Sequence, residues 1–114
     1  MAFQVPPEIQ EKLNNFEQLK SQLQMIMSQR GEMEARKKEM DASIDALEGS
    51  KDEDVFKKVG DILVKVSDKD KLVGELKEES ETLGVRVNSL ETQEKSAKEL
   101  YEKLGQELNE ALKG

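Results

Sequence analysis

Val55-Phe56-Lys57-Lys58-Val59-Gly60-Asp61-Ile62-Leu63-Val64-Lys65-Val66 is a β-hairpin pattern inside a chain that is otherwise helical in its periodicity. Two β-branched runs flank two turn residues, and glycine in the first turn position suits a type II′ turn. Across that turn Val55, Val59, Ile62, Val64 and Val66 fall on one face, interrupted by Lys57. The opposite face carries Phe56, Lys58, Leu63 and Lys65. A lone two-strand hairpin is marginal in water, and both its edges offer unpaired backbone groups. Hairpins of several chains are therefore expected to join edge to edge. Val55, Phe56, Val59, Ile62, Leu63, Val64 and Val66 are the expected oligomerisation residues.

On either side of the hairpin the apolar residues follow helical heptads. Upstream, Pro6 and Pro7 suit a helix entry, where a missing N–H costs nothing, and Glu8 and Glu11 complement the dipole of the first turn. Ile9, Leu13, Phe16, Leu19, Leu23, Ile26, Met33, Met40, Ile44 and Leu47 follow, with Arg30 and Lys37 at the two seam positions left over. The successive steps of three around Phe16 form a stammer, which overwinds a supercoil locally. Gly49-Ser50 ends this helix. Downstream, Ser67 or Asp68 is the expected N-cap. A second seam runs Val73, Leu76, Ser80, Leu83, Val87, Leu90, Glu94, Ala97, Tyr101, Leu104, Leu108 and Ala111. Gly74, Gly84 and Gly105 each cost a helix about 1 kcal/mol and lie off that seam without an evident reason.

The expected architecture is mainly α, a single domain over 1–114 with helices at 8–48 and 68–112 and a hairpin at 55–66. Each helix would be roughly 60 Å long. Folded back as an antiparallel coiled coil, the chain brings Ile9 near Leu108, Leu13 near Leu104 and Phe16 near Tyr101. Apolar partners coincide in this register, which favours an intramolecular pair over a parallel dimer. Arg30 and Lys37 at mid-seam cost stability and are expected to specify the register.

Composition narrows the function. The chain is 35% hydrophobic and 38% charged, with one Tyr, three Phe and no Trp, which fits thin helices burying a stripe rather than a thick core. A net charge of −7 repels phosphate, so nucleic acid is not an expected partner. No Lys/Arg run or long apolar stretch points to a membrane. The start, Met1 to Glu8, lacks the basic and apolar regions of a signal peptide, and there is no cysteine. A cytoplasmic location is expected. Without His or Cys the commonest bases, nucleophiles and zinc ligands are missing. No phosphate-cradling glycine loop is present, and Asp52, Asp54, Asp68 and Asp70 do not follow a calcium-loop spacing. Neither an enzyme nor a cofactor or metal site is expected.

Helix, hairpin motif and helix together resemble a β-class prefoldin subunit of the archaeal type. The resemblance covers essentially the whole chain, and a single hairpin is similar to the β class, since α-class subunits carry two. Phe56 stands where the family usually has Tyr. The resemblance implies a hexamer of two α-class and four β-class subunits, with the hairpins in a barrel-like body and the coiled coils hanging from it. It implies an ATP-independent holdase that binds unfolded proteins at the tips of its coiled coils and transfers them to a group II chaperonin.

Carried onto this chain, the tip contains Phe3, Val5, Ile9, Leu13, Phe16, Tyr101, Leu104, Leu108 and Leu112. Ile9, Leu13, Leu104 and Leu108 fit a role in closing the helix pair equally well. Phe3, Val5 and Leu112 lie off or beyond the seam and are expected to meet clients. Met33 and Met40 belong to the seam; Met25 and Met27 flank it and are open to either role. Glu107 and Glu110 are candidates for docking on a basic chaperonin surface, although solvated helix charges explain them as well. A structural coiled-coil tether, or a scaffold subunit, is the alternative reading of the same elements.

Overall fold

A computed structural model describes residues 5–52 and 54–113. Phe3, one of the expected client-contact residues, lies outside them. The elements are α1 (Pro7–Gly49), β1 (Val55–Val59), β2 (Ile62–Val66) and α2 (Lys69–Lys113). Helix boundaries thus fall within a residue of those expected from capping and proline signals.

The ends of the helices are closed as their sequences imply. Pro7 opens α1, and the Pro6 carbonyl accepts from the N–H groups of Ile9 and Gln10, both at 3.0 Å. Of the two candidate caps of α2, Asp68 takes the role: its Oδ1 accepts from the Lys71 N–H at 3.1 Å. The last turn of α1 has no basic residue of its own. Lys69 supplies that charge from the second helix, its Nζ donating to the Ser50 carbonyl at 2.8 Å.

The hairpin has the expected register. Val55 faces Val66, Phe56 faces Lys65, Lys57 faces Val64, Lys58 faces Leu63 and Val59 faces Ile62. Gly60 has φ of 60°, and no residue other than glycine has positive φ among those described. That combination matches a turn that needs the left-handed conformation in its first position only.

The chain divides into two compact units, one of Met1–Gly31 with Asn88–Gly114, the other of Glu32–Val87. In the first unit the seam is apolar around Ala97 and Leu108, both buried, with Ile9, Leu13, Phe16, Leu19, Leu23, Ile26, Leu90, Tyr101 and Leu104 half-buried. Its one departure from the expected seam is Ala111, which is exposed in the final turn. In the second unit Ile44, Val87 and Ser80 are buried, with Met33, Lys37, Met40, Leu47, Val73, Leu76 and Leu83 half-buried around them. A narrow core of this kind is what two facing stripes can bury.

Candidate assembly and client-binding surfaces

Each unit carries one polar insertion in its seam. In the first, Arg30 donates through Nε to Glu94 Oε2 at 2.5 Å and through Nη2 to Glu94 Oε1 at 3.2 Å. Both residues occupy seam positions, and the two-pronged geometry satisfies the guanidinium and the carboxylate together. In the second, Ser80 donates to Asp41 Oδ1 at 2.5 Å, and Lys37 donates to Asp41 Oδ2 at 2.8 Å. The Lys37 ammonium beside it, and then the Ser80 hydroxyl, hold the Asp41 carboxyl below the usual carboxylate range. Among the described residues no buried side-chain nitrogen or oxygen lacks a partner.

Facing residues follow the expected register at Phe16 and Tyr101, whose rings stack with centroids 4.4 Å apart and planes 13° from parallel. Longer side chains meet partners of higher number than that register gives, as Arg30 does with Glu94 and Lys37 with Gly84. Each side chain leans toward the N-terminus of its own helix, so two long ones in an antiparallel pair meet diagonally. The glycines left unexplained by sequence gain a reason from the same reach. A methyl at Gly105 would come within 3.3 Å of Phe16 Cε2, and one at Gly84 within 3.2 Å of Lys37 Cε. Both make room for a bulky seam neighbour. Gly74 has nothing within 4 Å, and no packing reason for it is evident.

The hairpin surface is bare. Phe56, Val59, Ile62, Leu63 and Val64 are all exposed, Leu63 at 69% of its full area, while Val55 and Val66 are half-buried where the strands leave the helices. Exposed apolar side chains on adjacent strands, with two strand edges unpaired within the chain, form a surface suited to association.

The second surface is the end of the first unit where α1 starts and α2 stops. Leu112 is exposed there, and Val5, Ile9, Leu13, Phe16, Tyr101 and Leu104 are half-buried. Leu108 is only 5% exposed, so a client could reach it only by parting the helices. Glu107 lies 3.9 Å from Lys12, while Glu110 is exposed. Met25 and Met27, flanking the seam, are exposed as well. Leu100, also exposed, escaped the sequence reading because it sits one residue off a regular seam position. Among the described residues no cluster of acidic side chains could hold a metal ion, and no helix is long and apolar enough to cross a membrane.

These features recur in known proteins. The model of the family described as prefoldin subunit matches residues 10–114. Prefoldin subunit beta of Thermococcus kodakarensis is 38% identical over 110 residues, covering 96% of this chain and 93% of that one. Prefoldin subunit beta of Archaeoglobus fulgidus is 34% identical over 96% of this chain and 94% of its own. The crystal structure of the prefoldin beta subunit from Thermococcus strain KS-1 superposes with a TM-score of 0.83 at 38% identity, covering 97% of each chain. Helices, hairpin and sequence agree over nearly the whole length: the chain belongs to the prefoldin subunit family, whose members are molecular chaperones that form hetero-oligomers with other prefoldin subunits.

Proposed function

We propose that this chain is the β-class subunit of an ATP-independent, cytoplasmic holdase and has no enzymatic activity of its own. It assembles with α-class subunits and further β copies, as a hexamer of two α and four β, through Val55, Phe56, Val59, Ile62, Leu63, Val64 and Val66. Unfolded proteins are held at the open end of the first unit by Val5, Ile9, Leu13, Phe16, Tyr101, Leu104 and Leu112, by Leu108 where the helices part, and by Phe3 of the preceding segment. They are then passed to a group II chaperonin, with Glu107 and Glu110 contributing to docking.

The observation that carries the client-binding part is Leu112, left bare in the last turn of α2 on the side of the molecule where α1 begins. Apolar surface that stays in water offers a non-directional attraction of about 25 cal/mol per Å² to any exposed apolar segment. Weak contacts repeated on several subunits add by avidity.

The test is light scattering from a chemically denatured, aggregation-prone protein diluted into buffer without nucleotide. The chain assembled with its α-class partner should suppress the scattering, and truncation to residues 10–107 should remove the suppression while the assembly persists. Unchanged scattering from an intact assembly would leave the structural tether as the better reading.

A further inference from the structure

From Ser21 to Gln29 α1 carries no charge, although 38% of the chain is charged. Leu23 and Ile26 are drawn into the seam, which leaves Met25 61% exposed and the amides beside it in water. Asn15, Gln18, Gln22 and Met25 follow one another at helical steps of three and four, so they form one strip along α1. Opposite the strip, Leu100 of α2 is 57% exposed. Asn15, Gln18 and Gln22 line an open groove of about 370 Å³ within the first unit, together with Leu19, Leu100 and Leu104. Lys103 and Glu107 bound it, the latter turned toward Lys12. Among the described residues, the side-chain amides of Asn15, Gln18 and Gln22 have no hydrogen-bond partner in the chain. The larger groove of the second unit, about 750 Å³, differs in kind, since Arg36, Glu39, Glu75, Glu79 and Arg86 line it with charge.

Free amides in a row, faced by an exposed leucine and followed by an exposed methionine, suit one occupant, an extended segment of unfolded polypeptide. A primary amide both donates and accepts, as a peptide group does, and so can pair with backbone of any sequence. Methionine adapts to whatever apolar side chain lies next to it. Lys103 and Glu107 carry opposite charges, so the lining is neutral on balance and matches an uncharged backbone better than a charged partner. We infer that this groove, which adjoins the open end at Leu104, is a further client surface, in which Asn15, Gln18 and Gln22 hold the backbone of an unfolded chain while Leu100, and Met25 just beyond the groove, take its apolar side chains. The inference rests on the holdase reading above and adds to it a recognition of main chain, which bare apolar surface at the open end does not supply.

The test compares a labelled, uncharged peptide of leucine and serine with its backbone N-methylated counterpart, by fluorescence anisotropy against the full chain assembled with its α-class partner. Loss of the backbone N–H groups should weaken binding about tenfold. Gln18→Ala with Gln22→Ala, which removes the accepting amide oxygens, and separately Leu100→Ser, should remove that preference for the unmethylated peptide with an unchanged circular dichroism spectrum. Val85→Ser, at a side chain 65% exposed in the second unit, should leave it intact. Equal binding of the two peptides overturns the inference, as does an undiminished preference in the groove variants. If neither peptide binds while aggregation is still suppressed, the groove assignment fails and the holdase reading stands. If suppression fails too, both fall. Dissociation of a larger species by Leu100→Ser would identify the groove as a contact between copies of the chain and likewise overturn the inference.

Discussion

Arg30 and Glu94 face each other in the seam of the first unit and exchange two hydrogen bonds, at 2.5 and 3.2 Å, where coiled coils ordinarily place leucine or isoleucine. Removing Arg30 would leave the half-buried Glu94 carboxylate without this partner, and removing Glu94 would take two hydrogen bonds from the guanidinium. Replacing either one by alanine should therefore cost about 1–3 kcal/mol, and the charge-swapped pair Arg30→Glu with Glu94→Arg should recover much of it. A double-mutant cycle from urea melts measures the coupling. Additive single losses would mean that the pair does not act as a unit.

A pH dependence follows from Asp41. Its carboxyl is held below its ordinary value by Lys37 first and by Ser80 second. A group whose folded pKa is depressed contributes stability that is fully present above its unfolded pKa and is lost as pH falls through the folded one. Thermal unfolding of the wild type should thus drop faster than that of Asp41→Asn when the pH is taken below about 4. Parallel pH profiles of the two proteins would refute the linkage.

The glycines of α2 should respond differently to alanine. At Gly74 the added methyl meets open space, so Gly74→Ala should stabilise by about 0.5–1 kcal/mol through helix propensity alone. At Gly105 the same gain is opposed by the close approach to Phe16, so Gly105→Ala should be neutral or destabilising. Adding Phe16→Leu to Gly105→Ala should uncover the lost propensity term. Equal melting temperatures for Gly74→Ala and Gly105→Ala would contradict the packing account.

The hairpin offers the test of assembly. Val64 shares a face with Val55, Val59, Ile62 and Val66, and it is exposed in the single chain. Val64→Asp should release free subunits in sedimentation velocity while leaving the helical circular dichroism signal in place. A complex of unchanged mass after that substitution would remove the hairpin from the interface.

Much of this was legible in the residues. Steps of three and four identify seam positions because only side chains on one stripe can be buried together, and the half-buried residues from Ile9 to Leu47 and from Val73 to Leu108 bear this out. Gly60 and the alternation around it were enough to set the hairpin register. Less legible were contacts that depend on side-chain reach. Asp41 lies off the seam one helical turn from Lys37, and it meets Ser80 only once the helices face each other. The space that Gly105 leaves for Phe16, and the exposure of Leu100 beside a half-buried Leu104, likewise belong to the pair of helices and to neither sequence segment alone.

The exposed hairpin has a consequence for how such a chain must be produced. A surplus copy presents two open strand edges and a row of uncovered valine, isoleucine and leucine, the same kind of surface that seeds cross-β polymers. Matched supply of the companion subunits should therefore keep this surface covered. An imbalance in their synthesis would turn a guardian against aggregation into one of its substrates.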